Sequence, residues 1–127
     1  MRLAYIVIFG VLGVLARYYG GIYVAKLLPS SFPYGTFLIN ISGAFLIGAI
    51  YVFGVERALI SSNLRVGIIV GFLGGYTTFS AYCLDGVRLI EDAHFATAGL
   101  YFILSPLLGA IATVAGILLA RSVCYYF

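Results

Sequence analysis

The run FATAGLYFILSPLLGAIATVAGILLA, residues 95–120, decides the fold, because it holds 26 residues and no charged side chain. A helix needs about 20 apolar residues to cross the hydrocarbon core of a bilayer, so this run predicts a transmembrane helix. Toward the N-terminus, residues 66–84 and 34–55 form further uncharged runs, and an apolar stretch interrupted only by Arg17 and Lys26 covers residues 3–28. The sequence predicts an all-α membrane protein, a single domain of residues 1–127 with four transmembrane helices. The predicted spans cover about residues 3–28, 34–55, 64–86 and 95–121.

The composition excludes a soluble domain. The chain is 64% hydrophobic and 9% charged, with a mean hydropathy of +1.16, whereas soluble domains are about 45–50% apolar and about 25% charged. A chain of 127 residues is too small to hide that much apolar surface from water. The seven Lys and Arg residues are scattered rather than clustered, which does not favour nucleic acid as a partner. The two cysteines, Cys83 and Cys124, have no spacing that indicates a metal site or a disulfide framework.

Cations are distributed almost evenly between the two sides that four spans create. Both termini and the second connection share one side, and the other two connections share the opposite side. The first side holds Arg2, Arg57, Arg65 and Arg121, and the second holds Lys26 and Arg88, with Arg17 if it extends there. The bias of Lys and Arg sets orientation, so this weak bias predicts insertion both ways round and pairing with an inverted copy.

Carboxylates are absent from the centre of every predicted span. The four acids fall at or beyond span ends, at Glu56, Asp85, Glu91 and Asp92. A proton-coupled exporter of small cations needs a titratable carboxylate in the middle of the membrane. The sequence therefore does not favour that class of transporter.

Thr36 and Asn40 lie four residues apart, and so on one face of the second span. Asn40 offers two N–H donors and Thr36 one O–H donor. Two interpretations remain open for this pair. It either joins helices by hydrogen bonds, as polar residues do in membranes, or supplies donors to an anion.

The third span contains the stretch GFLGGYTTFS, residues 71–80, with paired glycines and paired threonines. Both residue types are poor helix formers, so the stretch predicts either a local break or a closely packed glycine face. A break would free backbone carbonyls near the bilayer centre, where broken helices often hold a cation. Small residues four apart, such as Gly71 with Gly75 and Ala112 with Gly116, predict close contact between helix backbones.

Aromatic and hydroxyl side chains follow this stretch. Phe79 and Tyr82 are three residues apart, and their rings either line an anion path with their positive edges or pack in the core. Ser80 adds a hydroxyl. On the fourth span, Tyr101 and Ser105 are four apart. Pro106 there is expected to kink the helix and to leave the carbonyl of Phe102 without its helical donor. Arg17, on the first span, is either a snorkelling cation at the membrane surface or a cation that attracts anions to an entrance.

These residues together resemble the Fluc (CrcB) fluoride ion channels over nearly the whole chain. The resemblance is carried by residues 10–18 (GVLGVLARY), 35–40 (GTFLIN) and above all 71–80. It implies antiparallel, dual-topology homodimers with two fluoride pores and a structural Na⁺ at the dimer centre. The backbone carbonyls of Gly74 and Thr77 from both subunits would hold this Na⁺. The implied function is passive export of fluoride across the cell (inner or plasma) membrane, which lowers cytoplasmic fluoride.

The candidate fluoride path combines this resemblance with the hydroxyls noted above, and its residues are Arg17, Thr36, Asn40, Phe79, Ser80, Tyr82, Tyr101 and Ser105. Three positions depart from the family pattern. Tyr82 stands where a second pore phenylalanine is usual, and its hydroxyl could donate directly to the ion, so the ring edges need not act alone. Gly109 replaces a third hydroxyl on the fourth span, and Asp85 replaces a glutamate.

Three alternatives remain. A proton-coupled small multidrug exporter is also short, four-spanned and dual-topology, but needs a buried glutamate in the first span, which residues 3–16 lack. A non-transporting assembly subunit does not explain the polar groups of the second and third spans. An enzyme is least favoured, because no nucleophile–base pair is evident in the spans.

Overall fold

The computed structural model describes residues 1–126 and is all-helical over that range. Four helical spans are long and apolar enough to cross a membrane, and they cover Arg2–Leu27, Tyr34–Glu56, Ser62–Glu91 and Phe95–Tyr126. The predictions of an all-α chain and of four membrane-spanning helices are confirmed.

The second and third spans are not uniform α-helices. The second is α-helical over Tyr34–Tyr51 and continues as a π-helix over Val52–Glu56. The third consists of the α-helix Ser62–Val66, the π-helix Gly67–Leu73, the short α-helix Gly74–Tyr76 and the α-helix Phe79–Glu91.

Two residues of the third span, Thr77 and Thr78, lie outside the helices that flank them. Thr77 has φ −83° and ψ 156°, and Thr78 has φ −150° and ψ 116°, so both are extended. We call this pair the Thr77–Thr78 step. It follows Tyr76, which separates it from Gly74 and Gly75, in a stretch of poor helix formers.

Glycines allow the helix backbones to touch. On the third span, a Cβ at Gly75 would lie 2.8 Å from the Gly10 carbonyl oxygen of the first span. On the fourth, a Cβ at Gly116 would overlap the Phe45 carbonyl of the second span, and one at Gly48 of the second span would overlap the Thr113 carbonyl. The small residues thus pack the first span on the third and the second on the fourth within one chain.

Ionic and polar contacts gather both termini and the second connection at one end of the bundle. Arg121 pairs with Glu56, with Nε 3.0 Å from Oε2. The Nε of Arg2 donates to Asn63 Oδ1 at 3.2 Å, and Arg65 donates to the Gly54 carbonyl at 2.6 Å. The assignment of these arginines to one side is therefore confirmed.

The outer surface of the bundle is apolar. The accessible area is 7816 Å², whereas a compact soluble monomer of this mass would expose about 6,600 Å². Leucine, valine and isoleucine side chains along the first and fourth spans are about half exposed. Such a surface is stable only against lipid or another apolar partner, and the chain is a multi-pass membrane protein.

Candidate functional site

A cavity of about 410 Å³ lies between the second, third and fourth spans, beside the Thr77–Thr78 step. Its wall is mostly apolar, with a few polar groups. The predicted site residues that line it are Asn40, Gly74, Thr77, Phe79, Tyr82 and Ser105. A mostly apolar cavity with few polar groups is the usual form of a binding site.

Asn40 bonds to the backbone of the Thr77–Thr78 step with both ends of its amide. Its Nδ2 donates to the Thr78 carbonyl at 3.0 Å, and its Oδ1 accepts from the Thr78 N–H at 2.8 Å. The side chain thereby satisfies two backbone groups that have left the helical pattern, as buried polar groups in lipid require. Nδ2 carries two protons, so one remains beyond the bond to Thr78.

A second pair ties the other flank of the step to the second span. The Ser42 and Tyr76 hydroxyls lie 2.9 Å apart and share a hydrogen bond. The Thr77 hydroxyl donates to the Leu73 carbonyl one turn earlier at 2.8 Å. The non-helical backbone is therefore held by side chains on both sides.

The carbonyls of Gly74 and Thr77 lose the donors that a continuous helix would give them. The Thr78 N–H, which would bond to Gly74, goes to Asn40. The Ala81 N–H, which would bond to Thr77, goes to the Thr78 hydroxyl at 3.2 Å. Gly74 lies in the last turn of a half-helix and Thr77 is its C-cap, and unwound carbonyls of this kind coordinate Na⁺ in membrane proteins.

The oxygen atoms that the step could offer as metal ligands fit a hard monovalent cation better than a transition metal. The only oxygens it frees are neutral backbone carbonyls, and Gly74 is exposed. Across residues 1–126 no three His, Cys, Asp or Glu side chains gather where they could hold a metal ion. One chain offers two carbonyls, so a fuller oxygen shell requires further ligands from outside it.

Phe79 and Tyr82 form the aromatic wall of the cavity. Their ring centroids are 5.7 Å apart, and Phe79 is 77% exposed. The Tyr82 hydroxyl donates to the Phe102 carbonyl at 2.8 Å. Pro106 has no N–H, and this carbonyl is therefore the one its helix leaves free, as the sequence predicts. The single proton of Tyr82 is engaged in that bond, so the expectation that its hydroxyl donates to an ion does not describe this geometry.

Tyr101 lies behind this wall in the core. Its side chain is fully buried, and its hydroxyl donates to Asp85 Oδ2 at 3.4 Å. Thr36 lies near the same hydroxyl, and the Phe32 ring packs edge-on against Tyr101 at 5.4 Å. The structure therefore gathers Thr36, Tyr101 and Asp85 into one polar group beside the cavity rather than in its wall.

Ser105 is the polar group of the wall without a partner. Its hydroxyl oxygen is buried and forms no hydrogen bond with any part of the chain that the structure describes. A buried hydroxyl without a partner is unfavourable unless a ligand or water completes it. Among the residues that line the cavity, Ser105 is thus the one whose hydroxyl has no partner in the described chain.

Ser80 and Arg17 do not line the cavity. Ser80 is exposed, with its hydroxyl 3.4 Å from that of Thr78. Arg17 is partly buried on the first span. The sequence analysis did not predict the contacts of Ser42, Tyr76 and the Thr78 backbone. The one signal for them was that a non-helical backbone inside a membrane needs hydrogen-bond partners.

Comparison with known proteins identifies one family. The family model described as "CrcB-like protein, Camphor Resistance (CrcB)" matches residues 4–117. A fluoride-specific ion channel FluC of Geotalea uraniireducens is 44% identical over 118 residues, which cover 93% of this chain and 95% of the relative. That of Geotalea daltonii is 46% identical over 117 residues, 92% of this chain and 94% of the relative. That of Trichormus variabilis is 46% identical over 110 residues, 86% of this chain and 80% of the relative.

Proposed function

Because the chain belongs to the CrcB-like family, we propose that it is a fluoride-specific ion channel that lets fluoride leave the cell passively and so lowers cytoplasmic fluoride. The observation that carries this function is the identity of 44% or more with proteins named fluoride channels, over more than nine-tenths of both chains. The multidrug exporter alternative has no support from these relatives.

The chemistry of the cavity suits a small, strongly hydrated anion. A channel must replace the water of the ion with donors, yet hold it weakly enough to release it. The cavity has the second Nδ2 proton of Asn40, the Ser105 hydroxyl and the ring edges of Phe79 and Tyr82, all uncharged. A buried lysine would hold the ion too tightly, and a carboxylate would repel it.

The remaining path residues extend the proposed route beyond the cavity. Thr36 on the second span and Tyr101 on the fourth span continue the proposed route next to Asp85. Ser80 supplies a hydroxyl at the start of helix Phe79–Glu91, and Arg17 attracts anions toward an entrance. The roles of Thr36, Tyr101 and Arg17 follow the family pattern, and that of Ser80 rests on its hydroxyl alone.

The working unit we propose is an antiparallel homodimer. The support is threefold: a nearly even distribution of cations, an apolar outer surface, and carbonyls of Gly74 and Thr77 that one chain leaves half-coordinated. In this unit the third helix is broken at the Thr77–Thr78 step, and two steps meet at the dimer centre. Four carbonyls would then hold one Na⁺, whose charge offsets the field of nearby fluoride.

Fluoride efflux from proteoliposomes tests the function directly. Purified protein reconstituted into vesicles loaded with potassium fluoride should release fluoride to an external electrode once valinomycin balances the charge. Vesicles loaded with potassium chloride serve as the matched control, and chloride release should be far slower. Fluoride release no faster than from fluoride-loaded vesicles without protein would reject the channel. Equal rates of fluoride and chloride release would reject its selectivity.

A further inference from the structure

The hydrogen bond between Tyr82 and Phe102 connects the aromatic wall of the cavity to the fourth span. The Tyr82 hydroxyl donates to the Phe102 carbonyl at 2.8 Å. That carbonyl lacks a donor from its own helix because Pro106 has no N–H. Tyr82 therefore supplies the donor that Pro106 removes.

The Tyr82 ring is held along its body as well as at its tip. Its centroid lies 5.7 Å from that of Phe79, 5.2 Å from Tyr101 and 5.5 Å from Phe102. The Phe102 ring in turn covers Gly86, where any Cβ would overlap it. The ring is thus fixed at a set angle beside the cavity.

We propose that Tyr82 is a positioning residue for fluoride conduction, which acts through its hydrogen bond to the Phe102 carbonyl rather than as a donor to the ion. A hydroxyl has one proton, and here that proton lies on the carbonyl, so the oxygen can present only lone pairs to an anion. The ring edge, in contrast, is positive. The ion meets that edge, and the hydrogen bond sets its angle. This inference rests on the proposed channel function.

A double-mutant cycle between Tyr82→Phe and Pro106→Ala tests the inference. The measurement is the fluoride current of single channels in planar bilayers, which does not change with the fraction of protein that folds. Tyr82→Phe should lower this current about fivefold, because the ring loses its anchor and the carbonyl its donor. In Pro106→Ala, the restored N–H should displace Tyr82 from the Phe102 carbonyl, so this variant alone should already show a comparable loss of current. Adding Tyr82→Phe to that background should then lower the current by less than about twofold.

Two outcomes would overturn the inference. An equal fold-loss from Tyr82→Phe in both backgrounds would show that the hydroxyl donates directly to the ion. No loss from Tyr82→Phe in the native background would show that the bond has no part in conduction. Pro106→Gly restores the same N–H and provides a second background if Pro106→Ala gives no channels. Tyr23→Phe, on a side chain that is 64% exposed, is the matched control and should leave the current unchanged. A wild-type protein without current would instead reject the channel function itself.

Discussion

Asn40→Asp changes one nitrogen to an oxygen at the centre of the proposed path. Nδ2 of Asn40 now donates to the Thr78 carbonyl at 3.0 Å, while Oδ1 accepts from the Thr78 N–H at 2.8 Å. The variant keeps the second bond and sets a carboxylate oxygen against the carbonyl. A fluoride ion about 4 Å from this carboxylate is repelled by about 4 kcal/mol at an effective dielectric constant of about 20. That barrier corresponds to a rate roughly a thousandfold lower.

The measurement is fluoride efflux from proteoliposomes that contain equal amounts of wild-type and variant protein. The chain offers a matched control, because Asn63 is the only other asparagine and lies at the end of the bundle beside Arg2. Asn63→Asp makes the same chemical change outside the cavity and should retain efflux within about twofold of wild type. Efflux by Asn40→Asp within tenfold of wild type would refute the placement of Asn40 on the ion path.

Three further outcomes are expected. Ser105→Ala removes a buried hydroxyl that has no partner in the described chain, so thermal stability should hold or rise while fluoride efflux falls about tenfold; a fall in stability at unchanged efflux would assign Ser105 to packing. Gly116→Val would drive its side chain into the Phe45 carbonyl and should lower the free energy of unfolding by about 3 kcal/mol or more, which a lower melting temperature would report. In the control Gly99→Ala, the added Cβ meets nothing within 4 Å, so the melting temperature should not change. Replacement of all sodium by N-methylglucamine during purification and assay should stop efflux, and full activity after that exchange would reject the sodium site.

Composition and charge placement were enough to predict the helical spans. Apolar runs fix which segments enter lipid, and Arg2, Arg65 and Arg121 fall at one end because four spans alternate direction. Pro106 predicted the released Phe102 carbonyl for a similarly local reason, since the missing N–H is a property of one residue.

Contacts between distant segments were beyond the sequence. Asn40 was predicted either to join helices or to donate to an anion, and one donor and one acceptor of its amide bond to Thr78, 38 residues away. That pairing depends on how the second and third spans cross, which local pattern does not encode. The partner of Tyr82 was missed for the same reason. The sequence indicates that the Phe102 carbonyl lacks a donor and that Tyr82 has a hydroxyl, but only the packing of their two helices brings these groups together.

The hydrogen bonds around the Thr77–Thr78 step fix its backbone, so the step does not act as a hinge. Asn40 closes it on one flank, and the Ser42–Tyr76 pair closes it on the other. Spans two and three must consequently travel as a single body, since parting them would strip several polar groups of their partners inside lipid. We therefore expect the backbone of spans two and three to keep its arrangement during conduction, with any rearrangement that admits an ion confined to side chains.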